Sequence, residues 1–245
     1  MHLGLYSAYL GMKARQQRLD LIAGNIANAS TGGFKADRLA FRVLNQDGPV
    51  DAATNGRRMP ETGVQTQQMT DFSMGAMRET GRSLDVTLDG PGFLTVQTPR
   101  GERYTRTGSL TLDANGQLVT QNGDLVIGEG GPITVGPGEV TIGDDGTISS
   151  NGQIAGRLKL THFSDPNAAL QKEGHSLFVA TGAEKPSEST ATRVVQGALE
   201  SSNVNSLTEM VAMMQNTREF DSLQRSVSMM MNDIGRTIAN ELGKL

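Results

Sequence analysis

Apolar residues recur at helical spacing at both ends of this chain, and short alternating stretches fill the space between. That layout constrains the fold more than any other feature. Within residues 1–29, which hold no proline, Leu5, Tyr9, Met12, Leu19, Ile22 and Ile26 follow steps of three, four or seven, one stripe on one helix. Leu3, Tyr6, Leu10 and Leu21 form a weaker second stripe, and Thr31-Gly32-Gly33 predicts the stop. At the other end, Ser206-Leu207-Thr208-Glu209 fits a capping box. Beyond it Met213, Thr217, Phe220, Leu223, Val227, Met231, Ile234, Ile238 and Leu242 keep every step to three or four, and Gly243 follows as a stop. A helix over 206–242 is about 55 Å long at roughly 1.5 Å per residue, more than the diameter of a small domain. Met210, Met213, Met214, Met229, Met230 and Met231 crowd it, and methionine adapts to irregular, non-identical neighbours. Two long one-sided helices bury their seams against each other or against other copies.

The middle reads differently. Asp47-Gly48-Pro49, Asn55-Gly56, Pro60 and Thr62-Gly63 mark residues 45–83 as an extended linker with short strands. Residues 84–181 read as β: Leu84–Leu88, Phe93–Val96, Leu110–Leu112 and Gln117–Thr120 are separated by Asp-Gly, Pro-Arg-Gly and Asn-Gly turns. Leu110-Thr111-Leu112, Gly116 and Leu118 repeat as Val140-Thr141-Ile142, Gly146 and Ile148, which predicts two similar hairpins. Residues 182–197 form a polar return connector. The fold class expected is α+β: terminal helices (1–44 with 198–245) pairing as a coiled coil, with a mainly antiparallel β domain inserted at 84–181.

Chemistry is hard to find. The chain has 245 residues, net charge −4, 0 Cys and 0 Trp. No thiolate metal site, disulfide or thiol nucleophile is available. With aromatics at 4% and a pI near 5.4, a nucleic-acid interface is not expected. No apolar run spans a membrane. Lys13, Arg15 and Arg18 read as the solvated side of the first helix, and the order of charge and apolar residues is not that of a cleaved Sec signal. His2, His162 and His175 lack metal spacing, and Gly128-Glu129-Gly130-Gly131-Pro132 lacks the Lys-Ser/Thr of a phosphate loop. The carboxylates offer no distinguished pair. No catalytic, metal or cofactor site is expected, and the chain does not read as an enzyme.

The terminal blocks carry a resemblance. Gly24-Asn25-Ile26-Ala27-Asn28-Ala29-Ser30-Thr31-Gly32-Gly33-Phe34-Lys35 is similar to the N-terminal signature of bacterial flagellar rod and hook proteins. Leu199-Glu200-Ser201-Ser202-Asn203-Val204-Asn205, then Glu209-Met210-Val211 and Arg218-Glu219-Phe220, resembles their C-terminal signature. Leu84-Asp85-Val86, Leu88-Asp89-Gly90-x-Gly92-Phe93 and Tyr104-Thr105-Arg106-x-Gly108-Ser109 resemble their central domain. Length, the short linker, Val195-Gln196-Gly197-x-Leu199-Glu200 and the Met-rich tail look most like the proximal rod type, with the distal rod type as the alternative within the family. A secreted β-rich adhesin with coiled-coil arms is the alternative from another class.

The resemblance implies a structural subunit that polymerises into a helical drive shaft carrying motor torque to hook and filament. It implies export through the flagellar type III apparatus without a cleaved signal, a place in the periplasmic rod of the basal body, and partners that are other copies and other rod proteins. Neither nucleic acid nor stable membrane insertion is implied. The assembly interface would use Leu5, Tyr9, Met12, Leu19, Ile22, Asn25, Ile26, Asn28, Thr31 and Phe34 from the first block. From the second it would use Leu207, Met210, Met214, Phe220, Leu223, Val227, Met231, Ile234 and Ile238. Asn25, Asn28 and Thr31 would satisfy backbone groups at the helix end, and Phe34 would anchor the chain there.

Overall fold

The computed structural model describes the backbone of residues 2–50, 58–189 and 191–242, and side chains over 8–40, 67–189 and 191–229 with 231, 232 and 236. The fold is α+β, with helices towards both ends and mainly antiparallel strands between them. Three helices occur among the described residues: α1 (His2–Ala27), the single turn α2 (Pro166–Ala169) and α3 (Ser206–Leu242). The chain divides into two units, one of Met1–Ala27, Asp37–Met69 and Asn205–Leu245, the other of Asn28–Ala36 and Thr70–Val204.

In the first unit α1 and α3 lie against each other. Arg15 meets Asn216 and Glu219, whereas Leu21, Ile22 and Asn25 share a cleft with Thr208 and Ala212, so the helices run antiparallel. The N-cap of α3 is Asn205, one residue before the predicted capping box. Its side-chain oxygen accepts the Thr208 N–H at 3.1 Å and its carbonyl the Glu209 N–H at 3.0 Å. α1 stops at Ala27, ahead of the Thr31-Gly32-Gly33 stop expected from sequence. Residues 45–83, read as linker, carry much of a two-stranded sheet, Asp37–Val50 with Arg58–Thr70.

The second unit is built on a ten-stranded sheet that includes Phe93–Thr98, Gly101–Thr105, Leu110–Leu112, Leu118–Thr120 and Leu125–Gly128. Inward-facing residues of these strands and of Val86–Asp89 and Thr147–Ser150 close a core of Val86, Leu88, Leu94, Val96, Leu110, Leu118, Val126 and Ile148, each no more than 1% exposed. A second cluster is aromatic, with Phe93, Tyr104, Phe163 and Phe178 packed edge-on at 5.0–6.1 Å. The repeat seen in sequence forms two hairpins, Leu110–Leu112 with Leu118–Thr120 and Val140–Ile142 with Thr147–Ser150. Gly116 and Gly146 turn both with positive φ, 76° and 82°. The glycine run 128–131 is a tight turn too, pairing Leu125–Gly128 with Gly131–Pro132.

The β core also draws on chain beyond residue 181. Arg193–Gln196 pairs with Val86–Asp89, and Ala198–Glu200 with Met77–Glu79. Val194 is fully buried in the main core cluster.

Candidate functional site

The chemically richest place in the second unit is a buried charged joint. Lys35, Arg106 and Glu200 come from positions far apart in sequence, and none reaches more than 8% exposure. Lys35 Nζ donates to Glu200 Oε1 at 2.5 Å and to the Ser73 carbonyl at 2.7 Å. Arg106 donates to Glu200 Oε2 at 3.4 Å and to the carbonyls of Leu88 and Gly90 at 3.1 and 2.6 Å. Glu200 Oε1 also accepts the Gly75 N–H at 2.9 Å, and its carbonyl accepts the Gly33 N–H at 2.8 Å. Burial pushes Lys35 and Arg106 below their ordinary pKa values, and the Glu200 carboxylate opposes the shift in both. One carboxylate thus holds two buried cations, an arrangement that fails when the carboxylate is lost.

Backbones approach closely around this joint. Gly33 has φ 67°, and a Cβ there would lie 2.6 Å from the Arg106 carbonyl. The left-handed glycine therefore serves a close approach rather than a helix cap. Asn203 ties the same segments together. Its oxygen accepts the Ala36 N–H at 2.8 Å, and its amide donates to the carbonyls of Asp71 and Ser73. Phe34 is buried, with Lys172 Nζ 3.7 Å above its ring while also donating to the Lys35 carbonyl. Lys35, Arg106, Glu200 and Asn203 lie inside the motifs that carry the family resemblance, but the sequence alone assigns them no role. A charged residue pattern carries no mark of burial, so only the fold brings them together.

Among the assembly residues named from sequence, Ile22 and Asn25 of α1 are buried, and Met12, Leu19 and Ile26 half-buried. Tyr9 is exposed, and the side chain of Leu5 lies outside the described residues. Asn25 makes a reciprocal pair with the Asp37 backbone, accepting its N–H and donating to its carbonyl, both at 2.9 Å. Thr31, which is exposed, donates both its hydroxyl and its N–H to Asn28.

On α3, Phe220, Leu223 and Val227 are half-buried, while Leu207, Met210, Met214 and Met231 are exposed, Leu207 to 71%. The side chains of Ile234 and Ile238 lie outside the described residues. Thr217, placed in the seam by its spacing, faces outward and hydrogen-bonds the Met213 carbonyl. Asn216 takes that slot and is 2% exposed. Arg15, read as solvated, pairs with Glu219 at 2.5 Å while keeping about a third of its side chain in solvent.

Three stretches match known families. Residues 5–35 match the family described as "Flagella basal body rod protein", residues 87–150 "Flagellar hook protein FlgE/F/G D1 domain" and residues 195–239 "Flagellar basal body rod FlgEFG protein C-terminal". The flagellar basal-body rod protein FlgF of Caulobacter vibrioides is 35% identical over 248 residues, covering 97% of this chain and 98% of that protein. FlgF of Escherichia coli is 37% identical over 257 residues with the same two coverages, 97% and 98%. FlgG of Bacillus subtilis is 31% identical over 250 residues, covering 91% of this chain and 93% of that protein. Lys35, Arg106 and Glu200 come one from each matched stretch.

Proposed function

Since this chain belongs to the family of flagellar basal-body rod proteins, we propose that it is a subunit of the proximal rod whose terminal helices pair as a coiled coil and polymerise. It is a structural protein of the rod and not an enzyme. The observation that carries the proposal is the split in burial. The β unit closes its own core, whereas α3 leaves Leu207, Met210, Val211 and Met214 in solvent along its first turns. Apolar side chains at that density on one helix call for further neighbours. A contact between unlike surfaces that does not close on itself yields an open helix, the geometry of a shaft.

In this reading the seam of α1 (Leu5, Tyr9, Met12, Leu19, Ile22, Ile26) and that of α3 (Phe220, Leu223, Val227, Met231, Ile234, Ile238) build an inner helical layer. Leu207, Met210 and Met214 meet other copies, Asn25, Asn28 and Thr31 close the end of α1, and Phe34 anchors the connector. The subunit is exported through the flagellar type III apparatus without a cleaved signal and acts in the periplasmic rod, next to other rod proteins. The short stretch 45–83 and the Met-rich tail support the proximal over the distal position.

Imaging basal bodies from a strain lacking this chain tests the proposal. A missing or truncated rod is expected, and an intact rod with lost surface adhesion would support the adhesin instead. Leu223→Asp should abolish motility by the same route, because it places a charge in a half-buried seam. Normal swimming in that variant would remove the seam from the mechanism.

A further inference from the structure

Both long helices carry a second stripe that faces away from their shared seam. On α3 the seam of Met213, Asn216, Phe220, Leu223 and Val227 keeps steps of three and four. Leu207, Val211, Met214, Arg218, Asp221 and Arg225 keep the same steps, and every one of them is exposed. At about 100° per residue the two stripes lie roughly 160° apart, so the α1 that covers the seam cannot cover the outer stripe. On α1, Tyr9, Lys13, Gln16, Asp20, Ala23 and Ala27 form an outer stripe with steps of four and three, again exposed throughout. Such a repeat is the pattern that one helix presents to another.

The two outer stripes complement each other. Inside the subunit the helices run antiparallel, with Arg15 beside Glu219. Laid antiparallel at that same stagger, the outer stripes set Ala27 and Ala23 opposite Leu207 and Val211, small side chains against large ones. Further along, Lys13 stands opposite Asp221 and Tyr9 opposite Arg225, an ion pair and a cation–π contact, and Asp20 lies within one turn of Arg218. Other alignments lose this match. Sliding one stripe by a heptad sets Asp20 against Asp221 in one direction and Lys13 against Met214 in the other. Running the helices parallel keeps Asp20 with Arg218 but sets Lys13 against Val211. Two α3 stripes laid antiparallel set Leu207 against Arg225 and Val211 against Asp221. The α1 of the same chain is already turned to α3 by its seam, so the matching α1 stripe is that of another copy.

We propose that the outer stripe of α3 docks onto the outer stripe of α1 in a second copy of this chain, antiparallel and with Lys13 opposite Asp221. This rests on the rod reading above and names the surfaces that join its subunits. Each copy gives one stripe and receives another, a heterologous contact of the kind that builds rings or open helices.

Two tagged full-length chains, one Ala23→Cys and the other Val211→Cys, are expressed together, and the basal-body fraction is treated with a short bis-maleimide. The chain has 0 Cys, so a product carrying both tags joins these two positions in different copies. It should exceed the 211–211 product, formed when Val211→Cys carries both tags, by about tenfold, the ratio that about 1.4 kcal/mol of matched over mismatched pairing gives. Lys13→Asp and Asp221→Lys should each cut swimming, and the two together should restore most of it, because the exchanged charges meet again between copies. Both side chains are exposed, so these variants keep the fold of the isolated chain. Equal 23–211 and 211–211 yields, or a double variant no better than the singles, would overturn the pairing while leaving the chain in the rod. Absence of the unaltered chain from the basal-body fraction would overturn the rod reading, and this pairing with it.

Discussion

The two units of this chain spend their apolar residues differently. In the β unit, strands of two to six residues put most large apolar side chains inside, with Met77 and Ile154 as exposed exceptions, and Val86, Val96, Leu118, Val126 and Ile148 are fully buried. In the helical unit, a 37-residue helix has one fully buried side chain among its described residues, and that one is polar. Both units use alternation or periodicity correctly for their type. The difference lies in what completes the pattern. Strands find partners within the same chain, down to Arg193–Gln196 returning to pair with Val86–Asp89. A lone helix pair has only one shared face, so the rest of its apolar surface is left for other chains. Under the proposed export and polymerisation, a subunit gains from keeping one unit finished and the other open.

The contrast is easiest to break at the joint that finishes the β unit. Glu200→Ala leaves Lys35 and Arg106 buried without their carboxylate, and should destabilise the β unit by about 3–5 kcal/mol in denaturant unfolding. A loss below about 1 kcal/mol, the level of an exposed ion pair, would mean that the joint is solvated and the unit less closed than described. Gly33→Ala comes next. It forces a side chain into a positive φ and against the Arg106 carbonyl, for an expected loss of about 1–3 kcal/mol by the same measurement. Met214→Ser should leave the unfolding of the isolated chain within about 0.5 kcal/mol, because the side chain is exposed, yet reduce rod assembly. Unchanged assembly would show that the open face of α3 is not used.

The smallest effect is one of pH. Glu184 accepts N–H bonds from Ser164 and Asp165, which hold its carboxyl below the usual carboxylate range. A depressed folded-state value means that its contribution is present above the ordinary value, near 4.5, and is lost as the pH falls through the folded value. Glu184→Gln should therefore lower stability at neutral pH and flatten the acid limb of a stability–pH curve. An unchanged acid limb would mean that these two N–H bonds do not stabilise the Glu184 carboxylate.

Much of this architecture is legible in the sequence, for physical reasons that also mark where legibility ends. The long periods of α1 and α3 and the Asn-Gly and Asp-Gly turns are local signals, and the hairpins at Gly116 and Gly146 follow from them. One-residue errors arise where two positions share a helix face. Asn216 and Thr217 both satisfy steps of three and four, and apolar count alone favours the threonine methyl. The cap moved from Ser206 to Asn205 for a similar reason, since both side chains can accept an N–H. The strands Asp37–Val50 and Arg58–Thr70 are rich in polar residues, and their glycines and prolines read as linker. The charged joint was beyond reach, because Lys35 and Glu200 are 165 residues apart and nothing local says that either is buried.

Native-state hydrogen exchange on the isolated full-length chain tests the central claim most directly. Amides of Val86–Asp89 and Phe93–Thr98 should exchange only with global unfolding of the β unit, while those of α3 should exchange through local opening at far lower free energy. Protection of α3 equal to that of Val86–Asp89 in the isolated chain would contradict the account, because the helices would then be complete without neighbours.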